Sequence, residues 1–323
     1  MKLNEICSKG KSSLRQKDVI NDGPYSVYGA SGVVGTTSDY QNEIPYVAVI
    51  KDGAGVGRAS ACEPMTSVLG TMQALIPNPN VERDYLLYLV RSLRLGEGFS
   101  GSTIPHIYFK DYGKIEVPLP SLEAQKRIVS QLGLIEAQIE QAEAQTTQLD
   151  QLVKSRFVEM FGDPVTAVSD ITLGEVANMK AGKTTTAKTI HDVYAPGLSP
   201  CYGGNGLRGY SAEPTHEGIF PLIGRQGALC GNVQIAHGTF RATEHAVVVD
   251  CKISCEPVWL FHYLKYDDLG RLATGAAQPG LSLKDLKLVP VQLPPKDRQV
   301  EFISFASQVD KSRFVRDHEI NFR

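Results

Sequence analysis

Basic side chains are concentrated at the openings of two stretches of the chain. Residues 1–17 hold one acidic side chain, Glu5, and the basic side chains Lys2, Lys9, Lys11, Arg15 and Lys17. Residues 180–210 hold one acidic side chain, Asp192, and the basic side chains Lys180, Lys183, Lys188 and Arg208. Each cluster can neutralise phosphates, so the pattern predicts two contacts along one polyanion. The alternative is a pair of solvated loops.

Motifs that would carry out catalysis are incomplete. Ala181-Gly182-Lys183-Thr184-Thr185 suggests a phosphate loop, but that motif needs a glycine where Ala177 stands. Glu123 and Lys126 could form a nuclease-like pair, but an acidic residue is favoured in the first turn of a helix by the helix dipole alone. Methylation tetrapeptides, a serine nucleophile elbow and paired metal-binding histidines are missing from the sequence. The sequence therefore favours a binding protein, and a self-contained enzyme is the weakest hypothesis.

The cysteines also argue against a metal centre. Six are scattered along the chain, and none forms a CxxC pair. Cys251 and Cys255, with His245 and His262 nearby, do not have the spacing of a zinc ribbon. We therefore predict free thiols in a reducing compartment and no metal in this chain.

Composition indicates a folded protein with two domains. The chain has 323 residues, of which 42% are hydrophobic and 21% charged, and its net charge is −2. That length suffices for two ordinary domains. No apolar run approaches the roughly 20 residues of a membrane span, and the N-terminus lacks a signal-peptide core. A cytoplasmic location is expected, and a local basic surface remains compatible with the overall charge.

An internal repeat organises the whole chain. At an offset of 174 residues, Gly29 falls on Gly203, Gly53 on Gly227, Pro105 on Pro279 and Gln125 on Gln299. A single register held over such a distance predicts a tandem duplication, with each globular unit followed by a helix. We expect the two units to superpose and to share one strand order.

Each unit is predicted to mix strands and helices. Residues 46–50 and 221–223 form short apolar runs typical of buried strands, and both are followed by turn residues. Residues 83–95 and 257–264 have helical spacing. The glycines that follow the strands suit tight turns and close backbone approach.

A long amphipathic helix is predicted from Ser121 to Met160. Its apolar positions alternate steps of four and three residues, which is the heptad period of a seam that faces a partner helix. The seam consists of Ile128, Leu132, Ile135, Ile139, Ala142, Thr146, Leu149, Val153, Arg156 and Met160. A second helix, from about Lys296, should be half to two-thirds as long and should present Phe302, Phe305 and Val309. We expect Leu132, Ile135 and Ile139 to be buried against that second helix.

With the repeat and the helix established, the chain resembles the specificity (S) subunits of type I restriction–modification systems. The resemblance is carried by residues 117–129 and by residues 149–164, LDQLVKSRFVEMFGDP, which look like the central conserved region of that family. Residues 101–107 and 274–281 resemble the segments that close each target recognition domain. Residues 225–231 resemble the family's Arg-x-Gly turn, whereas the first unit has Lys51 at the position of Arg225.

The resemblance implies two target recognition domains that each read half of a split site in double-stranded DNA. It implies antiparallel coils that set the gap between the half-sites and two docked methyltransferase subunits. The S-adenosylmethionine, and any ATP and Mg²⁺, would belong to partner subunits, and no cofactor to this chain. Whether restriction subunits join is left open.

The interpretation that follows is an α+β fold with two mixed α/β recognition domains in tandem, separated by long antiparallel coiled-coil helices. The predicted divisions are 1–120 for the first domain, 121–161 for the central helix, 162–295 for the second domain and 296–323 for the distal helix. The candidate DNA-binding residues are Lys9, Lys11, Arg15, Tyr28, Lys51, Arg58, Lys183, Lys188, Asn205, Arg208, Arg225, Gln226 and Arg241. The candidate coil and partner residues are Ile128, Leu132, Ile135, Ile139, Leu149, Val153, Phe302, Phe305 and Val309. The alternative function is a coiled-coil scaffold that does not read DNA sequence.

Overall fold

The computed structural model describes residues 1–99, 105–227, 229–252, 254–275 and 279–321, with side chains as far as 312. The fold is α+β, as predicted. The chain divides into two compact units, Met1–Gln141 and Ala142–Arg323, called here the first unit and the second unit. The division falls within the long helix, whereas the domain boundaries proposed from sequence treat that helix as an element of its own and stay a prediction.

The first unit opens with short elements and continues into two small sheets. Its elements in order are α1 (Leu3–Ile6), β1 (Cys7–Lys9), β2 (Tyr25–Gly29), β3 (Gly32–Thr37), β4 (Tyr46–Ile50), β5 (Ala59–Cys62), β6 (Ser67–Val68), β7 (Met72–Pro77), α2 (Arg83–Ser92) and α3 (Phe109–Tyr112). One sheet has the order β1-β7-β4-β5 and the other β3-β2-β6. The long helix α4 (Leu122–Phe161) follows.

The second unit contains one continuous sheet. Its elements are α5 (Leu173–Val176), β8 (Ala177–Ala181), β9 (Ser199–Gly203), β10 (Gly206–Ser211), β11 (His216–Gly224), β12 (Val233–Ala242), β13 (Ala246–Cys251), α6 (Pro257–Tyr266), α7 (Leu283–Lys287) and α8 (Lys296–Asn321). The strand order is β10-β9-β12-β11-β13-β8. Short 3₁₀ turns lie between these elements in both units.

The two units share one strand order, which confirms the predicted duplication. Strand β12 corresponds to β5 and β6 together, so the two sheets of the first unit follow the same path as the single sheet of the second. Near this point, Met65 of the first unit adopts a left-handed φ of 53°, and Gly238 of the second unit has a φ of 71°. Gly29 ends β2 and Gly203 ends β9, as the repeat requires.

Each unit has its own apolar core beneath the strands. In the first unit, β4 is buried at all five positions and packs with Leu75 and with the apolar face of α2. In the second unit, the corresponding core gathers around Trp259 of α6, which is fully buried. Strands buried on both faces explain why residues 46–50 and 221–223 read as uninterrupted apolar runs.

A buried glutamine joins each long helix to its unit. The Nε2 of Gln125 donates to the carbonyl oxygens of Asn80 and Pro120, and its Oε1 accepts from the backbone N–H of Glu82 at 2.8 Å. Gln299 repeats all three bonds at the corresponding positions, with Ser254, Pro294 and Glu256. Both glutamines are fully buried. Each amide therefore pairs three backbone groups at its junction.

The predicted long helix is confirmed as α4, with 40 residues. At about 1.5 Å per residue it spans roughly 60 Å. Helix α8 has 26 residues, which agrees with the expected length ratio. Among the described residues, none of the helices is both long and apolar enough to cross a bilayer.

The predicted seam is buried along only part of α4. Val153 of the seam is buried. Phe157, which the predicted seam does not include, is also buried, and its ring lies 5.1 Å from the ring of Phe302 between centroids. Leu149, Phe305 and Val309 belong to or border the same core. Ile128 instead packs against the core of the first unit. The start of α8 thus meets the end of α4, as expected of two antiparallel helices.

The structure leaves the predicted seam residues Ile135 and Ile139 exposed, and their expected contact with α8 stays a prediction. Ile135 and Ile139 are each 50% exposed, and Leu132 is half-buried. Thr146, another predicted seam residue, is exposed and donates to the Ala142 carbonyl of its own helix. A heptad pattern marks a stripe on a helix but carries no information on what covers it, and α8 supplies its apolar contacts to the last turns of α4.

Removal of the junction amide should destabilise the unit that contains it. Gln125→Ala or Gln299→Ala leaves buried backbone groups unpaired, at about 1–3 kcal/mol for each group. Urea unfolding should show a lower midpoint for either variant than for the exposed control Gln148→Ala. An equal midpoint for all three would contradict this role.

The buried end of α4 and its exposed middle should respond differently to truncation. Phe157→Ala should cost about 3–5 kcal/mol because it opens a cavity beside Trp259 and Phe302. Ile139→Ala should stay within about 0.5 kcal/mol because its side chain is half exposed. Denaturant titration of both variants measures the difference, and a large loss for Ile139→Ala would show that this stripe is covered in solution.

Candidate nucleic-acid interface

The basic opening of the first unit is a loop anchored by a buried asparagine. Asn42 is 4% exposed; its Oδ1 accepts from the Lys11 backbone N–H, and its Nδ2 donates to the Lys11 carbonyl, both at 3.0 Å. The side chains of Lys9, Lys11 and Arg15 are exposed. The loop backbone is therefore fixed while its positive charges face solvent, where they can meet phosphates.

The basic opening of the second unit is anchored differently. The backbone N–H of Lys183 donates to the Ala242 carbonyl, and that of Thr185 donates to Glu244 Oε2, both at 3.0 Å. A side chain at Gly182 would collide with the Ala242 carbonyl oxygen, so the glycine serves this close approach. A three-residue turn follows instead of the long helix that a phosphate loop requires. Lys183 and Lys188 are exposed.

Arg241, a predicted DNA contact, is buried beneath the basic loop, and its role in DNA binding stays a prediction. Arg241 is 7% exposed. Its Nε donates to Thr185 Oγ1 at 2.9 Å, and its Nη1 donates to the Glu213 carbonyl at 2.8 Å. Its guanidinium holds the basic loop from beneath through these bonds and through a bond from Nη2 to the Thr184 carbonyl at 3.4 Å. The sequence alone predicted Arg241 as a DNA contact because neighbouring residues do not indicate whether an arginine side chain points into the core or into solvent.

The glycine turns of the two units have the same geometry. Gly53 has a φ of 87° and Gly227 of 89°. Their N–H groups donate to Pro105 and Pro279 respectively, both at 3.0 Å. The carbonyls of Lys51 and Arg225 accept from Ile107 and Leu281, both at 2.9 Å. Each turn is thereby tied to the segment that closes its unit. The remaining residues of those resembling segments, 101–104, 228 and 276–278, lie outside the described residues.

Three of the predicted residues of the second unit meet at one open depression of about 560 Å³. Asn205, Arg208 and Gln226 line it, and His245 joins them. Asn205 accepts a hydrogen bond from Asn232 at 3.1 Å, and the Arg208 side chain is exposed. Arg225 lies next to Gln226 and is half-buried, and its Nε is buried without a hydrogen-bond partner among the described residues. The depression combines one exposed positive charge with both hydrogen-bond donors and hydrogen-bond acceptors.

The remaining predicted residues of the first unit are spread more widely. Lys51 is half-buried in the glycine turn, and Arg58 is exposed, with its Nε donating to the Gly55 carbonyl at 3.4 Å. Tyr28 is half-buried and packs against the cluster around Tyr46. Its ring is thus partly a core element.

Three residues beside these turns were missed by the sequence reasoning. Asp52, His106 and His245 contact or occupy the glycine turns, but they lie far apart in the chain. The only sequence signal was that Asp52 falls on Gln226 in the repeat. Neither histidine sits at a repeated position, so periodicity could not identify them.

The cysteines do not build a metal site within the described residues, where no group of three or more potential ligands is found. The Sγ atoms of Cys251 and Cys255 lie 3.5 Å apart. The hydrogen bond with Cys255 and burial raise the pKa of the Cys251 thiol well above its usual range. The Cys251 thiol therefore remains protonated, and the two sulfurs form a partly buried pair.

Comparison with known proteins gives matches in both units. The family model for the type I restriction modification DNA specificity domain matches residues 1–151 and again residues 167–320. Over 140 residues, the chain is 43% identical to the type I restriction enzyme EcoprrI specificity subunit of Escherichia coli, which covers 43% of this chain and 35% of that protein. Over 134 residues, it is 31% identical to a putative type I restriction enzyme specificity subunit of Haemophilus influenzae, covering 41% of this chain and 34% of that protein. The matches span about a third of the length of these curated relatives.

Two solved structures share the fold over nearly the whole chain. One is the S subunit of a type I restriction-modification system from M. genitalium, with a TM-score of 0.61, 19% identity, and coverage of 99% of this chain and 91% of that one. The other comes from work on complex assembly and conformational transition of the type I R-M system, with a TM-score of 0.52, 16% identity, and coverage of 99% and 92%. At these identities the likeness concerns the fold alone.

Substitution of an exposed arginine of the second unit should weaken DNA binding, whereas substitution of a buried arginine should lower the stability of the fold. Arg208→Ala should weaken binding to a mixed-sequence DNA duplex and reduce the slope of log K against log salt by about one unit. Arg241→Ala should lower the unfolding midpoint because it leaves the partners of a buried cation unpaired. Salt titrations by fluorescence anisotropy and urea unfolding measure the two effects. The assignment fails if Arg208→Ala leaves the salt slope unchanged.

Proposed function

The chain belongs to the type I restriction modification DNA specificity domain family, and from that premise we propose that it is the sequence-specific DNA-binding specificity subunit of a type I restriction–modification complex. In this role each unit reads one half of a bipartite site. The chain itself carries out no chemistry. Methylation and cleavage belong to partner subunits.

The observation that carries the proposal is the repetition of one surface. Both units present a basic opening loop with exposed lysines and a glycine turn held by the same backbone hydrogen bonds. One exposed cationic loop has many uses, but two at equivalent places suit two contacts along one duplex. This supports DNA reading over the alternative, a coiled-coil scaffold without sequence readout.

The proposed interface separates positioning from reading. Exposed lysines and arginines such as Lys11, Lys183 and Arg208 would contact phosphates and fix the register of each unit on the duplex. Base edges would then be read by side chains on the adjoining turns. The anchored loops lose little conformational freedom on binding, because Asn42 and Arg241 already hold them.

The long helices would set the distance between half-sites. Helix α4 continues without a break across the division between the units. A continuous helix is stiff and has a fixed rise, so its length can determine a spacing on DNA. The half-exposed residues Ile135 and Ile139 would belong to the surface on which further subunits assemble.

The proposed partners follow from the family and stay proposals for this chain. Two methyltransferase subunits would carry S-adenosylmethionine. Restriction subunits, where present, would bring ATP and Mg²⁺. The complex would act on double-stranded DNA in the cytoplasm.

The deciding experiment maps methylated bases in cells that carry this chain together with its methyltransferase partner. The expected result is one split motif, with two defined halves separated by an unspecified gap. A scaffold would leave methylation independent of this chain's sequence. The absence of any motif from a complex that is assembled and active would contradict the proposal.

Lengthening α4 should widen the gap and leave both halves unchanged. An insertion of four residues after Ala144 adds about one turn, or roughly 6 Å, while nearly keeping the helix face in phase. At about 3.4 Å per base pair, the second half-site should move by one to two base pairs. Methylation mapping of the variant complex measures the gap.

An insertion of the same length after Gly197, in an exposed turn of the second unit, is the matched control and should leave the gap unchanged. A changed half-site with an unchanged gap in the Ala144 variant would show that the helix does not set the spacing.

A further inference from the structure

One position in each unit has the same backbone setting but a different side chain. Asp52 lies two residues after the end of β4, and Gln226 lies two residues after the end of β11. Each directly precedes the glycine with positive φ that makes the turn. A Cβ placed on Gly53 or Gly227 would meet nothing within 4 Å, so the space in front of both turns is open.

Each of these side chains is held by a histidine. His106 Nδ1 lies 2.6 Å from Asp52 Oδ1, and His245 Nδ1 lies 2.7 Å from Gln226 Oε1. The two histidines occupy different places in the repeat, because His106 corresponds to Gly280 and His245 to Thr71. Inheritance of one ancestral contact therefore does not account for both. In both units a histidine holds the side chain that precedes the turn glycine, but the two histidines come from different places in the repeat.

The contacts are not required to close the turns. In the first unit, the backbone bonds from Gly53 to Pro105 and from Ile107 to Lys51 already join the turn to the segment that carries His106. In the second unit, the equivalent bonds join the turn to Pro279 and Leu281, which lie far along the chain from His245. Each histidine instead fixes the orientation of one side chain, Asp52 in the first unit and Gln226 in the second.

The fixed orientations leave opposite hydrogen-bonding groups for a ligand. Asp52 is a carboxylate and offers only acceptors. The amide oxygen of Gln226 accepts from His245, so its Nε2 is left as a donor. Two equivalent turns thus present complementary chemistry, an acceptor in the first unit and a donor in the second.

We propose that Asp52 and Gln226 are the equivalent base-reading side chains of the two half-sites, with His106 and His245 as their positioning residues. The proposal rests on the proposed function as a DNA specificity subunit. A carboxylate matches the N4 amino group of cytosine in the major groove. An amide donor matches the acceptors O6 and N7 of guanine. The two half-sites would differ at this position because the side chains differ on one shared backbone frame.

The test exchanges donor for acceptor at each position without changing shape. Asp52→Asn gives the first turn the chemistry of the second, and Gln226→Glu gives the second turn that of the first. Methylated motifs are mapped for the complete complex with each variant, and binding is measured by competition between duplexes that differ at one base pair. Each variant should lower the preference for its original base about 10- to 100-fold, at one position of its own half-site only.

The positioning role is tested by two replacements of each histidine. His245→Ala should broaden the base preference at the Gln226 position while leaving the other positions unchanged. His245→Asn keeps a donor near the place of Nδ1 and should restore the preference. His106→Ala and His106→Asn form the equivalent pair in the first unit. If both replacements of a histidine give the same profile, it does not act through its neighbour.

The outcomes separate this inference from the proposed function. A wild-type complex without a split motif would defeat the proposed function. A wild-type complex with a split motif, whose base preferences survive both exchanges, would defeat the inference alone, and so would a single variant that alters both half-sites. If Asp52→Asn lowers the unfolding midpoint, Gln226→Glu decides the matter, since Gln226 is exposed and its exchange leaves the core untouched.

Discussion

The buried amide at the start of each long helix is the contact on which the arrangement of each unit depends. Gln125 and Gln299 each use both amide groups to join the strand–helix connection, the segment before the helix and the helix itself. Since both side chains are fully buried, any other orientation would leave backbone groups unpaired. The first turn of each long helix is therefore held in one fixed direction relative to its own unit.

The duplicated units share the backbone geometry of the glycine turn but differ in the side chain that precedes the glycine. The glycine turns keep their left-handed φ and their paired backbone bonds in both units. The residue before each glycine is Asp52 in one unit and Gln226 in the other, so the chemistry presented at the turn changes while the backbone does not. The proposed reading of two half-sites with one fold depends on this separation between a constant scaffold and variable reading groups.

Charged side chains are also distributed unevenly over the chain. The net charge is only −2, yet exposed lysines and arginines concentrate on the opening loops, while α4 is rich in glutamate and glutamine. A general positive charge would favour nonspecific attachment along any duplex, whereas two local basic surfaces would confine the proposed DNA contacts to those surfaces. Arg241 shows that a basic residue near such a surface can serve the fold, because its guanidinium is consumed by Thr185 and Glu213.

The sequence by itself determined the repeat, the sharing of one strand order by the two units, and the existence and approximate bounds of both long helices. These features depend on periodicity, and a register held from Gly29 to Gln125 leaves little freedom in how the second unit folds. Tertiary structure alone decided that Arg241 points inward, that Ile135 and Ile139 stay exposed, and that His106 and His245 meet Asp52 and Gln226. Each of these depends on which surfaces lie opposite a side chain, and those surfaces come from residues far away in the chain. Sequence periodicity indicates the face of a helix or strand on which a residue lies. The residues that contact that face are determined only by the folded structure.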